Sequence, residues 1–135
     1  MADPYALPDL IMTRLATLEW PILHVADLTR ALEETQLSPA LLIIPYGVRV
    51  EDDGTAAAVR ETVLITALVR SVNQRGGVQA RQQSGELLTA ASLLLRGWQP
   101  TTDYSPLSLE SPPQPQFVNG VALYPLQFSS NYSLE

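Results

Sequence analysis

The chain has 135 residues, 46% of them hydrophobic and 16% charged, with a formal net charge of −6; this suits one domain, residues 1–135, with a modest core of its own. All 8 basic residues are arginine, against 14 acidic ones, a balance that argues against gripping a phosphate backbone as the main task. With no cysteine there is no disulfide framework, thiolate zinc site or cysteine nucleophile, and His24 is the one imidazole.

The opening stretch, MADPYALPDL, carries acids and prolines where an export signal needs a basic start and an apolar run. The longest apolar stretches, 40–44 and 63–69, fall far short of the roughly 20 residues of a membrane-spanning helix. The expectation is a soluble protein made in a cytoplasm, with no membrane partner. Leu7, Leu10, Ile11, Leu15 and Leu18 recur at three- and four-residue intervals around Pro8 and Asp9, which predicts a one-faced helix with proline in its first turn, closed by Trp20-Pro21. ILHV at 22–25 supplies a short strand. DLTRALEETQ predicts a short helix with Asp27 as N-cap and Leu28, Ala31 and Leu32 turned inward.

ALLIIPYGVRV at 40–50 and VRETVLITALVRSV at 59–72 are rich in β-branched residues, and both predict strands. Pro45 cannot donate to a ladder, which pushes the first toward a sheet edge or a bulge. In the second, Val63, Ile65, Ala67 and Val69 share one face, while Thr62, Leu64, Thr66, Leu68 and Arg70 make a mixed face suited to cover by a neighbouring subunit. Between the strands stand Glu51, Asp52, Asp53 and Gly54. A calcium loop spaces its ligands at alternate positions and closes with a Glu well after the glycine, whereas these acids are contiguous and Glu61 comes too soon. They read instead as the solvated tip of a long hairpin, whose loop at 51–58 is longer than a tight turn requires and so reaches toward a partner.

NQRGG, ahead of the next helix, lacks the lysine and hydroxyl of a phosphate loop and the third glycine of a dinucleotide fingerprint. Arg75 and Arg81 are read as surface or interface arginines. A helix follows, with Ala80, Ser84, Leu87, Ala91 and Leu94 as its core-facing stripe and Val78, Arg81, Gly85, Leu88, Ser92 and Leu95 along another side. Gly97 marks its stop, and Trp98 folds back on the core. Pro106, Pro112, Pro113 and Pro115 make about 100–118 an extended connection, with a short strand at 107–109. Asn119-Gly120 then turns the chain into a last strand, VALYPLQFSS, where Tyr124 and Phe128 are core residues. The order predicts an α+β fold: one antiparallel or mixed sheet with a long hairpin, packed by two main helices and a short one. His24 has no serine in a nucleophile elbow and no titratable cluster beside it, so it is read as a strand-end histidine. No enzymatic activity, metal or cofactor is expected.

Taken in order, LLIIPYGVRVEDDG, TVLITALVRSVNQRGGVQARQQSGELLTAASLLLRGWQP, PLSLES and FVNGVALYPLQFSS resemble the tail terminator (tail completion) proteins of Mu-like and lambda-like tailed phages. The resemblance spans most of 40–130 and is most specific at Ala80-Arg81, at the helix exit LLRGWQP and at NGVALYPLQF. It implies a structural virion protein of the phage tail or neck, made in the host bacterial cytoplasm. Such a subunit assembles as a homohexameric ring on the head-proximal end of the tail tube, ends tube polymerisation and provides the surface for head–tail joining. The implied partners are further copies of itself, the tail tube protein, a neck or connector protein and, in contractile tails, the sheath protein. DNA passes through the ring without specific binding, which the acidic balance favours.

A ring subunit uses a head-to-tail interface and needs two different patches. The candidate subunit or tube interface is Arg49, Glu51, Asp52, Asp53, Arg60, Leu64, Leu68 and Arg70, with the acids pairing across the joint with arginines such as Arg49, Arg60 or Arg75. The alternatives are another neck or head–tail completion subunit, and a small peptide- or ligand-binding module that uses an exposed strand edge.

Overall fold

A computed structural model describes residues 5–25, 39–52, 54, 56–70, 78–118 and 120–134. Their elements are α1 (Leu7–Leu15), β1 (Ile22–His24), β2 (Ala40–Asp52), β3 (Ala57–Arg70), α2 (Val78–Leu95), β4 (Ser108–Glu110), β5 (Gln116–Val118) and β6 (Val121–Leu134). The six strands form one mixed sheet of the α+β class, with β1, β2, β3 and β6 side by side and both β4 and β5 on the far edge of β6. Only β1 and β2 run parallel; the other pairs are antiparallel. The expected short helix with Asp27, Leu28, Ala31 and Leu32 lies outside the described residues, as does Arg75.

In α1, Pro8 occupies the first turn, where its missing N–H would have no intrahelical partner anyway. Leu7, Ile11 and Leu15, four residues apart, are fully buried. The helix ends at Leu15, before Trp20: the Ala16 N–H bonds back to the Thr13 carbonyl at 3.3 Å and the Leu18 N–H to that of Leu15 at 2.9 Å, three-residue closures that tighten the last turn.

In α2 the buried stripe is Ser84, Leu87, Ala91 and Leu95. Leu95, rather than the half-buried Leu94, completes it, because steps of three, four and four residues stay on one side of a 3.6-residue helix. Gly97 stops the helix in the left-handed region at φ 76°. Its N–H donates to the Leu107 carbonyl at 3.0 Å, and the Leu107 N–H donates to Trp98 at 2.8 Å. Arg14 of α1 ties the two helices together: its Nε donates to the Leu94 carbonyl at 3.1 Å and its guanidinium lies 5.4 Å from the Trp98 ring centre.

Both helices pack on one face of the sheet. Val59, Val63, Ile65, Ala67 and Val69 of β3 point to that side and join Leu41, Ile43, Phe128, Tyr132 and the helix leucines in the larger core. The opposite face has a core of its own, where Leu64 and Leu68 pack with Val25, Leu42, Ile44, Val121 and Leu123. The expected open, mixed face is therefore corrected: Leu64 and Leu68 have no exposed surface within the single chain.

Part of that cover is the proline-rich connection, whose Pro113, Gln114 and Gln116 line a narrow gap with Leu64, Thr66, Leu123 and Pro125. The connection holds a strand more than expected. β4 and β5 lie end to end along β6, Glu110 opposite Gln127 and Gln116 opposite Leu123. The stretch 111–115 between them falls out of the ladder, since its three prolines have no N–H to donate. β5 then turns into β6 through a two-residue link, Val118 opposite Val121, with Gly120 at φ 77°.

Candidate assembly surface

β1 covers β2 only as far as His24 opposite Ile43. From Pro45 onward every residue of β2 is exposed, and no described strand pairs with its outer edge. At this point the ladder slips. Pro45 stands opposite Val63 and Gly47 opposite Thr62, so Tyr46 is an extra residue, a β-bulge. Because directly opposed residues share a face, the extra residue exchanges the two faces of β2. Before it, Leu41 and Ile43 point toward the helices; after it, Val48, Val50 and Asp52 do so, opposite Glu61, Val59 and Ala57. Pro45 thus sits at both an edge and a bulge, the two places where its missing donor is tolerated.

At the distal end, Asp52 pairs with Ala57, and the Gly54 N–H donates to Asp52 Oδ1 at 2.8 Å with Gly54 at φ 88°. The strands therefore run further than the expected 51–58 loop allowed: Glu51 and Asp52 are ladder residues, facing alanines that impose no like-charge penalty. Asp53 lies outside the described residues. Arg49 Nε is 3.9 Å from Glu51 Oε1, both side chains mostly in solvent, where such a pair contributes little.

Arg60, opposite Arg49 and on the same face, reaches across β6 to pair with Glu110. The Glu110 carboxylate also accepts hydrogen bonds from Ser129 Oγ at 2.8 Å and Gln127 Nε2 at 3.0 Å. That junction fastens β4 to the sheet and engages Arg60 within its own chain, away from the acids it was expected to meet across a joint. Arg70 is exposed at the opposite end of β3, about 33 Å from Arg60 at the ~3.3 Å rise of a strand residue. The structure thus brings Arg49, Glu51, Asp52 and Arg60 to one end, leaves Arg70 at the other and buries Leu64 and Leu68 between them.

Sequence reasoning missed Glu61. It is nearly fully buried on the helix side, where it accepts the Tyr5 backbone N–H at 3.0 Å and the Tyr132 hydroxyl at 3.3 Å. Tyr5, at φ 68°, leads directly into α1, so the carboxylate anchors the start of that helix to β3. Burial raises the Tyr132 phenol pKa, and the charge of Glu61 raises it further. The signal was present: stepping back by two from Val63 puts Glu61, then Val59, on the inward face. His24, exposed at the end of β1, has Nδ1 3.6 Å from Asp9 Oδ1. It borders an open groove of about 530 Å³ with Tyr5, Tyr46, Val48 and Glu61. Among the described residues no group of three or more His, Cys, Asp or Glu side chains is placed to hold a metal ion.

The family model of the phage tail terminator protein matches residues 1–135. The chain belongs to the phage tail terminator family. Among solved structures, a chain in the "Virion of native gene transfer agent (GTA) particle" shares the fold, with a TM-score of 0.52 and 13% identity over 98% of this chain and 87% of that one. No curated protein matches the sequence. As a terminator-family member the chain is a structural protein of the phage virion, located in its tail or neck and associated there with other particle proteins. No helix among the described residues is long and apolar enough to cross a membrane.

Proposed function

We propose that residues 1–135 act as one unit that closes into a ring, of six copies, on the head-proximal end of the tail tube. The ring ends tube polymerisation and offers its other side to a neck or connector protein and, in a contractile tail, to the sheath. DNA passes through without specific binding, and the subunit catalyses no reaction. The family match along the whole chain carries this reading.

The distal ribbon of β2 and β3 supports it. Exposed Tyr46, Val48 and Val50, a strand edge that no described strand pairs, and acidic Glu51 and Asp52 add little to the stability of a lone subunit. Such a feature is accounted for by what it meets in an assembly. Arg49, Glu51 and Asp52 form the part of the candidate interface at this end. Electron microscopy of the purified protein, alone and mixed with its tube protein, tests the proposal: rings seated on one end of length-limited tubes are expected, and tubes that grow unchanged in its presence would refute it. In the same assay, changing Asp52 and Asp53 together to Asn leaves the melting temperature unchanged and weakens capping at low salt.

A further inference from the structure

Two of the exposed apolar features among the described residues stand on separate parts of the chain. One is the helix-side row of the distal ribbon, where Val48 and Val50 are exposed and Asp52 comes next in line. The other is the outer side of α2. With Ser84, Leu87, Ala91 and Leu95 turned to the sheet, Thr89 and Leu93 point away from it, and Leu93 is 81% exposed. Gly85 and Ala90 leave a shallow depression beside these two, bordered at its far end by Gln82 and Glu86, and the space above Gly85 is open. Arg96, one turn beyond Leu93, is exposed and meets no carboxylate among the described residues.

The two rows are complementary. Val48, Val50 and Asp52 read apolar, apolar, acidic over about 13 Å of strand. Thr89, Leu93 and Arg96 read small, apolar, basic over about 10 Å of helix. We propose that they are the two halves of a head-to-tail contact between copies of this chain: the ribbon of one subunit lies along α2 of the next, Val50 against Leu93 and Asp52 toward Arg96. The inference rests on the ring reading and names its interface. Each subunit has one of each half, so both can be filled at once, as a closed ring requires. The contact is uncharged at its centre and charged at its rim, as stable interfaces are.

The competing arrangement is edge-to-edge pairing of two ribbons about Val50, which would set Arg49 across from Glu51 of the second copy. The absence of cysteine makes the test direct. A chain carrying Val50→Cys and Leu93→Cys is mildly oxidised while its assembly state is followed by sedimentation. The expected result is a reductant-sensitive ladder of covalent multimers that ends at the closed ring, with each single variant remaining one chain on a non-reducing gel. Covalent dimers from Val50→Cys alone would overturn the contact in favour of edge pairing. An oligomer that forms without the Val50–Leu93 bond, in solution or on tube ends, overturns the contact and leaves the ring, whereas no oligomer in solution together with no capping of tubes overturns both. A charge exchange checks the cysteine result: Asp52→Arg and Arg96→Asp should each weaken association about tenfold and together restore it; failure of the pair to restore it counts against the contact.

Discussion

Val50 and Val59 face each other across the β2–β3 ladder, yet Val50 is 54% exposed and Val59 only 2%. The difference lies in what stands beyond each. Val59 is flanked on its other side by Tyr132, whose ring meets that of Tyr104 edge-on at 5.0 Å, while Val50 is on the sheet edge. The aromatic cover stops one strand short. Val59→Ala should therefore lower the unfolding free energy by about 1–3 kcal/mol, and Val50→Ala should change it by less than about 0.5 kcal/mol, both read from urea melts.

Glu61 and Tyr132 make stability fall in alkali. The Tyr132 pKa is raised in the folded state, by burial first and then by the carboxylate. Above the ordinary phenol value the unfolded chain has lost this proton and the folded chain still holds it. The contribution is constant below about pH 10, then declines as the pH rises through the folded-state pKa. Tyr132→Phe should flatten this alkaline limb in denaturant titrations; an unchanged slope would show that other groups govern it.

Glu110 joins β4 to the sheet through Arg60, Ser129 and Gln127. Replacing it by Ala strands donors that are partly out of water and should cost about 1–3 kcal/mol. A double-mutant cycle with Arg60→Ala should give a coupling that shrinks as salt is added, because Arg60 is half in solvent. A coupling indistinguishable from zero would reduce the pair to a surface contact.

Leu68 belongs to the chain's own second core. Leu68→Ala should cost about 2–5 kcal/mol, and Leu68→Glu should unfold the isolated subunit. A folded Leu68→Glu protein, by circular dichroism, would mean that this face opens more easily than its packing implies.

Two glycines should respond in opposite directions to alanine. Gly85 sits within α2 with open space where a Cβ would go, so Gly85→Ala should stabilise by about 0.5–1 kcal/mol. Gly97 has equal room, but its φ of 76° is one that alanine resists, so Gly97→Ala should destabilise by about 1–2 kcal/mol. Thermal melts of the two variants separate backbone strain from crowding.

Most of the element order was legible because it rests on local rules: leucines at helical spacing in α1 and α2, β-branched runs in β2 and β3, Gly97 as a stop. What escaped depends on partners distant in sequence. The mixed face of β3 looks open in the sequence because Leu42, Ile44, Val121 and Leu123, which fill it, come from other strands. β5 was hidden among prolines because three residues suffice once β6 supplies the ladder. Glu61 looked like a charge in an apolar run, since Tyr5 and Tyr132, which satisfy it, stand 56 and 71 positions away. In the candidate surface, Arg49, Glu51 and Asp52 lie together because they are near neighbours on one strand, whereas Glu110, which Arg60 meets within the chain, approaches from the far side of β6 and left no local trace in the sequence.

The bulge at Tyr46 also bears on how this surface can evolve. All that decides whether Val48 and Val50 or Arg49 and Glu51 look toward the helices is one unpaired residue. Loss of a single codon there would turn the outer half of β2 over, presenting charge where it now presents valine, with every remaining amino acid unaltered. A change of length at this one site would thus alter what the surface presents, a route that a comparison of substitutions alone would overlook.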